Sequence, residues 1–140
     1  MRQMLGEEQY LTACYARLNR KTRRISIVSA GHPPLIRVSG TDVAETVDMD
    51  SEPLGVFSSV VLQRKDLRIS RGDRLYLYSD GLIESSPGAS RRAGLERLID
   101  ACVRHRAAPV AELARTVVSD LRTGVKVEDD WLLLAIEAYP

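Results

Sequence analysis

The spacing of apolar and polar positions divides the chain into a strand-rich first part and a helical second part. Residues 10–18 interleave aromatic and β-branched residues with small ones. Ile25-Ser26-Ile27-Val28 follows after the polar connection 19–24, a sequence that predicts a hairpin. Residues 35–38 and 43–47 flank Ser39-Gly40-Thr41-Asp42, a turn composition that predicts a second hairpin. Residues 48–59 read as loop around Pro53 and Gly55, 60–69 as strand, Arg71-Gly72-Asp73 as a turn and 74–79 as a further strand.

From there the period changes. Leu95, Leu98, Ile99, Cys102 and Val103 recur at helical spacing within 91–106, and Val110, Leu113, Ala114, Val117, Val118 and Leu121 do so within 109–121. Pro109 suits the first turn of the second helix and Gly124 the position just past its end. Each helix presents one apolar stripe and must pack it on something, which the strands can supply. Residues 131–137 are apolar almost throughout, the pattern of a strand covered on both faces. The predicted layout is α+β: antiparallel strands, a packed helical hairpin and a closing strand.

Composition narrows the function classes. The 140 residues are one domain's worth of chain, and 44% hydrophobic with 28% charged residues is a globular balance. Twenty basic against nineteen acidic residues leave a net charge of +1, which argues against a dedicated nucleic-acid binder or a polybasic membrane module. The longest apolar run, 131–136, is far short of the ~20 residues of a membrane helix. The first eight residues lack the apolar segment of a secretory signal. Cys14 and Cys102 sit at apolar positions and read as buried, reduced structural thiols rather than a disulfide framework or a zinc site. A cytoplasmic chain is expected.

Two acidic strand ends carry the candidate chemistry. The apolar stretch Leu75-Tyr76-Leu77-Tyr78 ends in Ser79-Asp80-Gly81, and Glu128-Asp129-Asp130 immediately precedes the last apolar run. If these two strands are antiparallel neighbours, Asp80 and Asp129 or Asp130 meet on one rim of the sheet. Carboxylates brought together repel unless protonated or neutralised by a cation. Ligands that are all oxygen favour a hard ion, Mg2+ or Mn2+. Asp-Gly is also a common turn dipeptide, and the spacing alone leaves a solvated acidic loop open.

Six motifs then occur in one order: Ser29-Ala30-Gly31-His32-Pro33-Pro34-Leu35, Pro53-Leu54-Gly55, Gly72-Asp73-Arg74-Leu75, Tyr78-Ser79-Asp80-Gly81-Leu82-Ile83-Glu84, Gly94-Leu95-Glu96-Arg97-Leu98 and Asp129-Asp130. In order and spacing, from about residue 10 to 136, the chain resembles the bacterial PPM-type (PP2C-like) serine phosphatase domain of the SpoIIE/RsbU class. The resemblance implies a PP2C-like β-sandwich flanked by helices, with a binuclear Mn2+ or Mg2+ centre at one end. It implies Asp80 and Asp129 as metal ligands, and a metal-activated water, with no phosphoenzyme nucleophile, that hydrolyses phosphoserine or phosphothreonine. Asp130 is a further metal candidate beside Asp129, and Gly81, Glu84 and His32 are possible site neighbours. Glu84 could reach a metal through water or be a plain loop carboxylate; His32 could act as a general acid or hold a turn. The implied partner is a phosphoprotein substrate such as a phosphorylated anti-sigma-factor antagonist.

Two departures qualify the match. The family's Asp-Asp is followed after one residue by threonine, whereas here Asp130 leads into Trp131-Leu132. The family also carries an earlier aspartate–glycine motif whose aspartate bridges the metals, and this chain has a single Asp-Gly pair, Asp80-Gly81. Residues 1–140 are therefore expected to form one truncated domain, a partial sandwich lacking the family's N-terminal portion. The expected function is a metal-dependent protein phosphatase of weak or no activity on its own, dimeric or dependent on an upstream regulatory segment. The alternative is a non-catalytic interaction scaffold. A basic RNA-binding domain is the weakest reading: Arg17, Arg20, Lys21, Arg23 and Arg24 form a cluster that suits a solvated hairpin tip, with no interleaved aromatics to stack bases.

Overall fold

A computed structural model describes residues 10–57, 59–84, 90–123 and 130–138. In chain order its elements are β1 (Ala13–Asn19), β2 (Arg24–Ala30), β3 (Leu35–Val38), β4 (Ala44–Val47), β5 (Gln63–Arg68) and β6 (Arg74–Tyr78), followed by α1 (Gly81–Glu84), α2 (Arg91–Arg104), α3 (Val110–Arg122) and β7 (Leu133–Glu137). The chain forms two compact units, one of Met1–Pro34 with Asp48–Ile69 and one of Leu35–Val47 with Ser70–Pro140. Both sheets are antiparallel, and with the helices they make the α+β fold that the sequence pattern predicts.

In the first unit the strands run in the order β1-β2-β5. Along β2 the buried Ile25, Ile27 and Ser29 alternate with the half-exposed Ser26 and Val28, the period of two that a one-sided sheet imposes. The β1–β2 turn is held by Asn19, whose Oδ1 accepts from the amides of Lys21 and Thr22, each at 3.1 Å. After β2 the chain turns through Gly31 at φ +65°, and a Cβ there would lie 2.6 Å from Cγ of Pro53. Gly31 N donates to Ser51 O at 3.1 Å, and Leu54 exchanges two 2.8 Å backbone bonds with Leu11. The Gly-His-Pro and Pro-Leu-Gly motifs therefore meet, and what joins them is close backbone packing that only glycine permits.

In the second unit the order is β4-β3-β6-β7, and α2 and α3 cover one face. Ile36, Val38, Tyr76 and Tyr78 of the sheet bury against Leu98 and Cys102 of α2 and Leu113, Val117 and Leu121 of α3. Ser90 starts α2 by accepting the Ala93 amide at 3.2 Å, and Pro109 precedes α3. Gly124, expected to end that helix, lies outside the described residues. Where β6 begins, the 2% exposed Asp73 accepts from Ser70 N (2.8 Å), Gly40 N (3.2 Å) and the Arg37 guanidinium (2.6 Å). Its neighbour Arg74 pairs with Glu137 at 2.8 Å and donates to the carbonyls of Arg106 and Ala108. These bonds tie the start of β6 to the β3–β4 hairpin, to β7 and to the α2–α3 connection.

The structure departs from the sequence pattern in four places. β7 is an edge strand: Leu133 and Ala135 pack toward the helices, but Leu134 is 49% exposed, so the strand is not covered on both faces. Its apolar side chains alternate between the helix-covered face and an opposite face on which Leu134 is not covered. β1 begins at Ala13 and β5 at Gln63, each three residues later than the pattern suggests. The short helix α1 is too brief to show a helical period. Cys102 is buried but Cys14 is only half-buried. No helix among the described residues is long and apolar enough to cross a membrane.

Candidate functional site

β6 is an inner strand, and its antiparallel pairing with β7 sets Tyr78 opposite Leu133. The ladder continues one step past the strand, with Ser79 N donating to Leu132 O at 3.0 Å. The Ser79 hydroxyl then makes two further bonds across the gap, donating to Asp130 O at 2.8 Å and accepting from Leu132 N at 2.9 Å. One small side chain thus pins the approach to β7 against the exit from β6. The register brings the Asp80 turn and Asp130 to the same rim of the sheet.

Past Ser79 the chain reverses. The Asp80 carbonyl accepts from Ile83 N (2.9 Å) and Glu84 N (3.0 Å), and its Oδ1 accepts from Gly81 N at 3.1 Å. Leu82 and Ile83 anchor α1 in the core. α2 closes over them at Gly94, where a Cβ would sit 1.8 Å from the Ile83 carbonyl oxygen. The Asp80 turn is thus held on one side by Ser79 and on the other by α1, itself fixed beneath Gly94.

Asp80 and Asp130 are both exposed, while Gly81 is buried. Asp129 lies outside the described residues. Glu84 pairs with Arg91 at 3.4 Å. His32 belongs to the first unit, where its Nδ1 donates to the Pro33 carbonyl at 2.7 Å. Among the described residues no three His, Cys, Asp or Glu side chains gather as a metal-binding group. The rim nevertheless offers carboxylate oxygens alone, the donor type that hard cations take. Mg2+ is commonly held by one or two carboxylates, with waters and a substrate phosphate completing its shell. In kind the donors suit such an ion.

The Trp131-Leu132 departure is absorbed without loss of this frame. Trp131 packs against the helix-facing core, and the 60% exposed Leu132 turns its side chain outward while its amide stays bonded to Ser79. Burial pushes the Cys102 thiol up to about 12 and raises that of Cys14, so neither is poised as a thiolate nucleophile. Ser79 and Gly94 do not stand out from the residue pattern as positioning groups. The available signals were a hydroxyl placed directly between a buried strand and Asp-Gly, and a glycine inside a helical stripe.

Comparison with known proteins gives this geometry its context. The chain matches the family model of stage II sporulation protein E (SpoIIE) over residues 1–139. It is 30% identical to the phosphoserine phosphatase RsbP of Bacillus subtilis (strain 168) over 113 residues, 81% of this chain and 26% of that protein. It is similar to the crystal structure of the RsbU and RsbW domains of a Mycobacterium tuberculosis protein, with TM-score 0.78 and 26% identity over 90% of this chain and 36% of that one. It is similar also to the manganese-presoaked phosphatase domain of the cell-fate determinant SpoIIE of Bacillus subtilis, with TM-score 0.70 and 15% identity over 90% of this chain and 56% of that one. In each case the chain spans less than two thirds of its relative.

Proposed function

We propose, on the premise that this chain belongs to the SpoIIE family of PP2C-like phosphatases, that it supplies the Asp80/Asp129 side of a Mn2+- or Mg2+-dependent protein serine/threonine phosphatase site. The observation that carries this is the β6–β7 register, which sets the Asp80 turn beside Asp130, the residue that follows Asp129 in the sequence. When bound, the ion supplies water activation and neutralises phosphate charge. Asp80 and Asp129 hold it, and Asp130 adds negative potential beside them. Ser79 keeps the two strand ends together, and Gly81 presents no side chain beside the turn. Glu84, paired with Arg91, and His32, bonded to Pro33, take no ligand role in this scheme.

A single Asp-Gly pair leaves the family's metal-bridging aspartate without a counterpart in these residues. The chain is accordingly proposed to hold metal weakly and to turn over slowly unless a further carboxylate is supplied from outside it. By resemblance the substrate is a phosphoserine or phosphothreonine on a cytoplasmic protein, such as an anti-sigma-factor antagonist. The same missing aspartate also supports a second reading, a non-catalytic scaffold.

Calorimetry with Mn2+, run beside hydrolysis of an aryl phosphate, tests the assignment. Weak Mn2+ binding is expected in the native chain and none in Asp80→Asn or Asp129→Asn, with melting curves unchanged. Absence of binding at saturating Mn2+, or binding that survives both substitutions, would leave the scaffold reading in its place.

A further inference from the structure

We propose that the outer face of the β1-β2-β5 sheet is a docking surface for an acidic segment of a protein partner. Directly opposed residues of antiparallel strands share a face. The register stacks Tyr15, Val28 and Arg64 in one row, Arg17, Ser26 and Asp66 in the next, and Asn19, Arg24 and Arg68 in the third. Four arginines on three strands thus surround Ser26, on the side opposite the buried Ile25 and Ile27.

The one carboxylate on this face is already engaged. The Ser26 hydroxyl donates to Asp66, and Arg64 donates to Asp66 at 3.0 Å and to Ser26 at 3.1 Å. The Ser26 bond foremost, with the Arg64 bonds, holds the Asp66 carboxyl below the usual carboxylate range. Among the described residues Arg17, Arg24 and Arg68 have no ion-pair partner, and Arg24 feels Asp66 only at longer range. A cleft of about 200 Å³ is lined by Arg17, Arg24, Ser26 and Arg64 among others. That is several times the ~30 Å³ share of one water, room for an incoming carboxylate.

The charge is also segregated. Residues 17–24 and 63–68 carry eight Lys and Arg against one Asp, in a chain whose net charge is only +1. The remainder of the chain is therefore net acidic, and the basic residues gather on this sheet and its β1–β2 turn, four of the arginines on the face itself, where they steer an acidic segment toward it. Arginine's planar fork suits bidentate pairing with carboxylates. A nucleic acid fits less well. Tyr15 is the one aromatic on these rows, so successive bases find no stacking platform, and Asp66 would face the phosphate backbone.

This surface shares no residue with the Asp80–Asp130 rim, so its test does not depend on catalysis. A fluorescein-labelled poly-glutamate peptide is titrated with the full chain and followed by anisotropy at low and physiological ionic strength. The triple variant Arg17→Gln, Arg24→Gln, Arg68→Gln is expected to bind about tenfold more weakly, the sum of three exposed charge contacts. The triple variant Arg92→Gln, Arg115→Gln, Arg122→Gln has the same net charge and is expected to bind like the native chain. Equal weakening in both variants would show that net charge alone binds the peptide, and would overturn the proposal. An oligouridylate of matched charge that binds more tightly, with the same arginine dependence, would overturn it in favour of nucleic acid. Should the first triple variant not fold by circular dichroism, the single variants Arg17→Gln and Arg68→Gln are read instead. Each is expected to lose about twofold, and no loss in either overturns the assignment.

Discussion

Ser79 joins two strands with one hydroxyl, donating to Asp130 O and accepting from Leu132 N. Ser79→Ala removes both bonds and leaves the Leu132 amide to water. A loss of about 1 kcal/mol by urea denaturation is expected, together with weaker Mn2+ binding, while Ser79→Thr retains both. Asp73 presents a different case. Burial pushes its carboxyl up, but the bonds from Ser70 N, Arg37 and Gly40 N outweigh burial and hold it below its ordinary value. A depressed carboxylate contributes stability above its unfolded pKa of about 4 and loses it as pH falls through the folded value. The native chain should therefore lose stability progressively below about pH 4. Asp73→Asn should start about 2–3 kcal/mol less stable at neutral pH and show a shallower acid decline, read from urea midpoints across pH.

At the scale of elements, Gly94 sets propensity against packing. In an exposed helix interior Gly94→Ala would gain about 1 kcal/mol. Here the added methyl meets the Ile83 carbonyl at 1.8 Å and α1 has to move. A net loss of about 2–3 kcal/mol is expected, with the Asp80 turn displaced and Mn2+ binding weakened, measurable by thermal melting and calorimetry. Both hairpins and both longer helices were legible in the chain because their signals are local: turn residues between alternating runs, then a period of 3.6. β7 was legible as a strand and misread as covered on both faces. A run of apolar residues records that water is unfavourable there, but not which neighbour excludes it: Leu133 and Ala135 lie on the sheet face that the helices cover, whereas Leu134 alternates to the opposite face, which leaves it 49% exposed.

For the whole molecule, the exposed apolar residues carry a consequence. Leu132 and Leu134 lie beside and on the β7 edge, and in the first unit Val56, Phe57, Leu62 and the 77% exposed Val61 are similarly bare. Exposed apolar side chains next to an open strand edge favour association. Sedimentation velocity is expected to show self-association that rises with concentration, and Leu132→Lys with Leu134→Lys is expected to shift the boundary toward monomer. A single monomeric boundary at high concentration would contradict this.

The amino-acid sequence by itself determined the elements other than the short α1, the family and the pair of acidic strand ends, because turn chemistry, hydrophobic period and motif order are all written in nearest neighbours along the chain. It did not determine what those motifs do for one another. That Gly31 packs on Pro53, that Gly94 closes on Ile83, and that Asp80 and Asp130, fifty residues apart, share a rim under the Ser79 hydroxyl are outcomes of strand register and helix docking. Only the tertiary structure decided them, because contacts between distant residues depend on which strand pairs with which, and local patterning does not specify that choice.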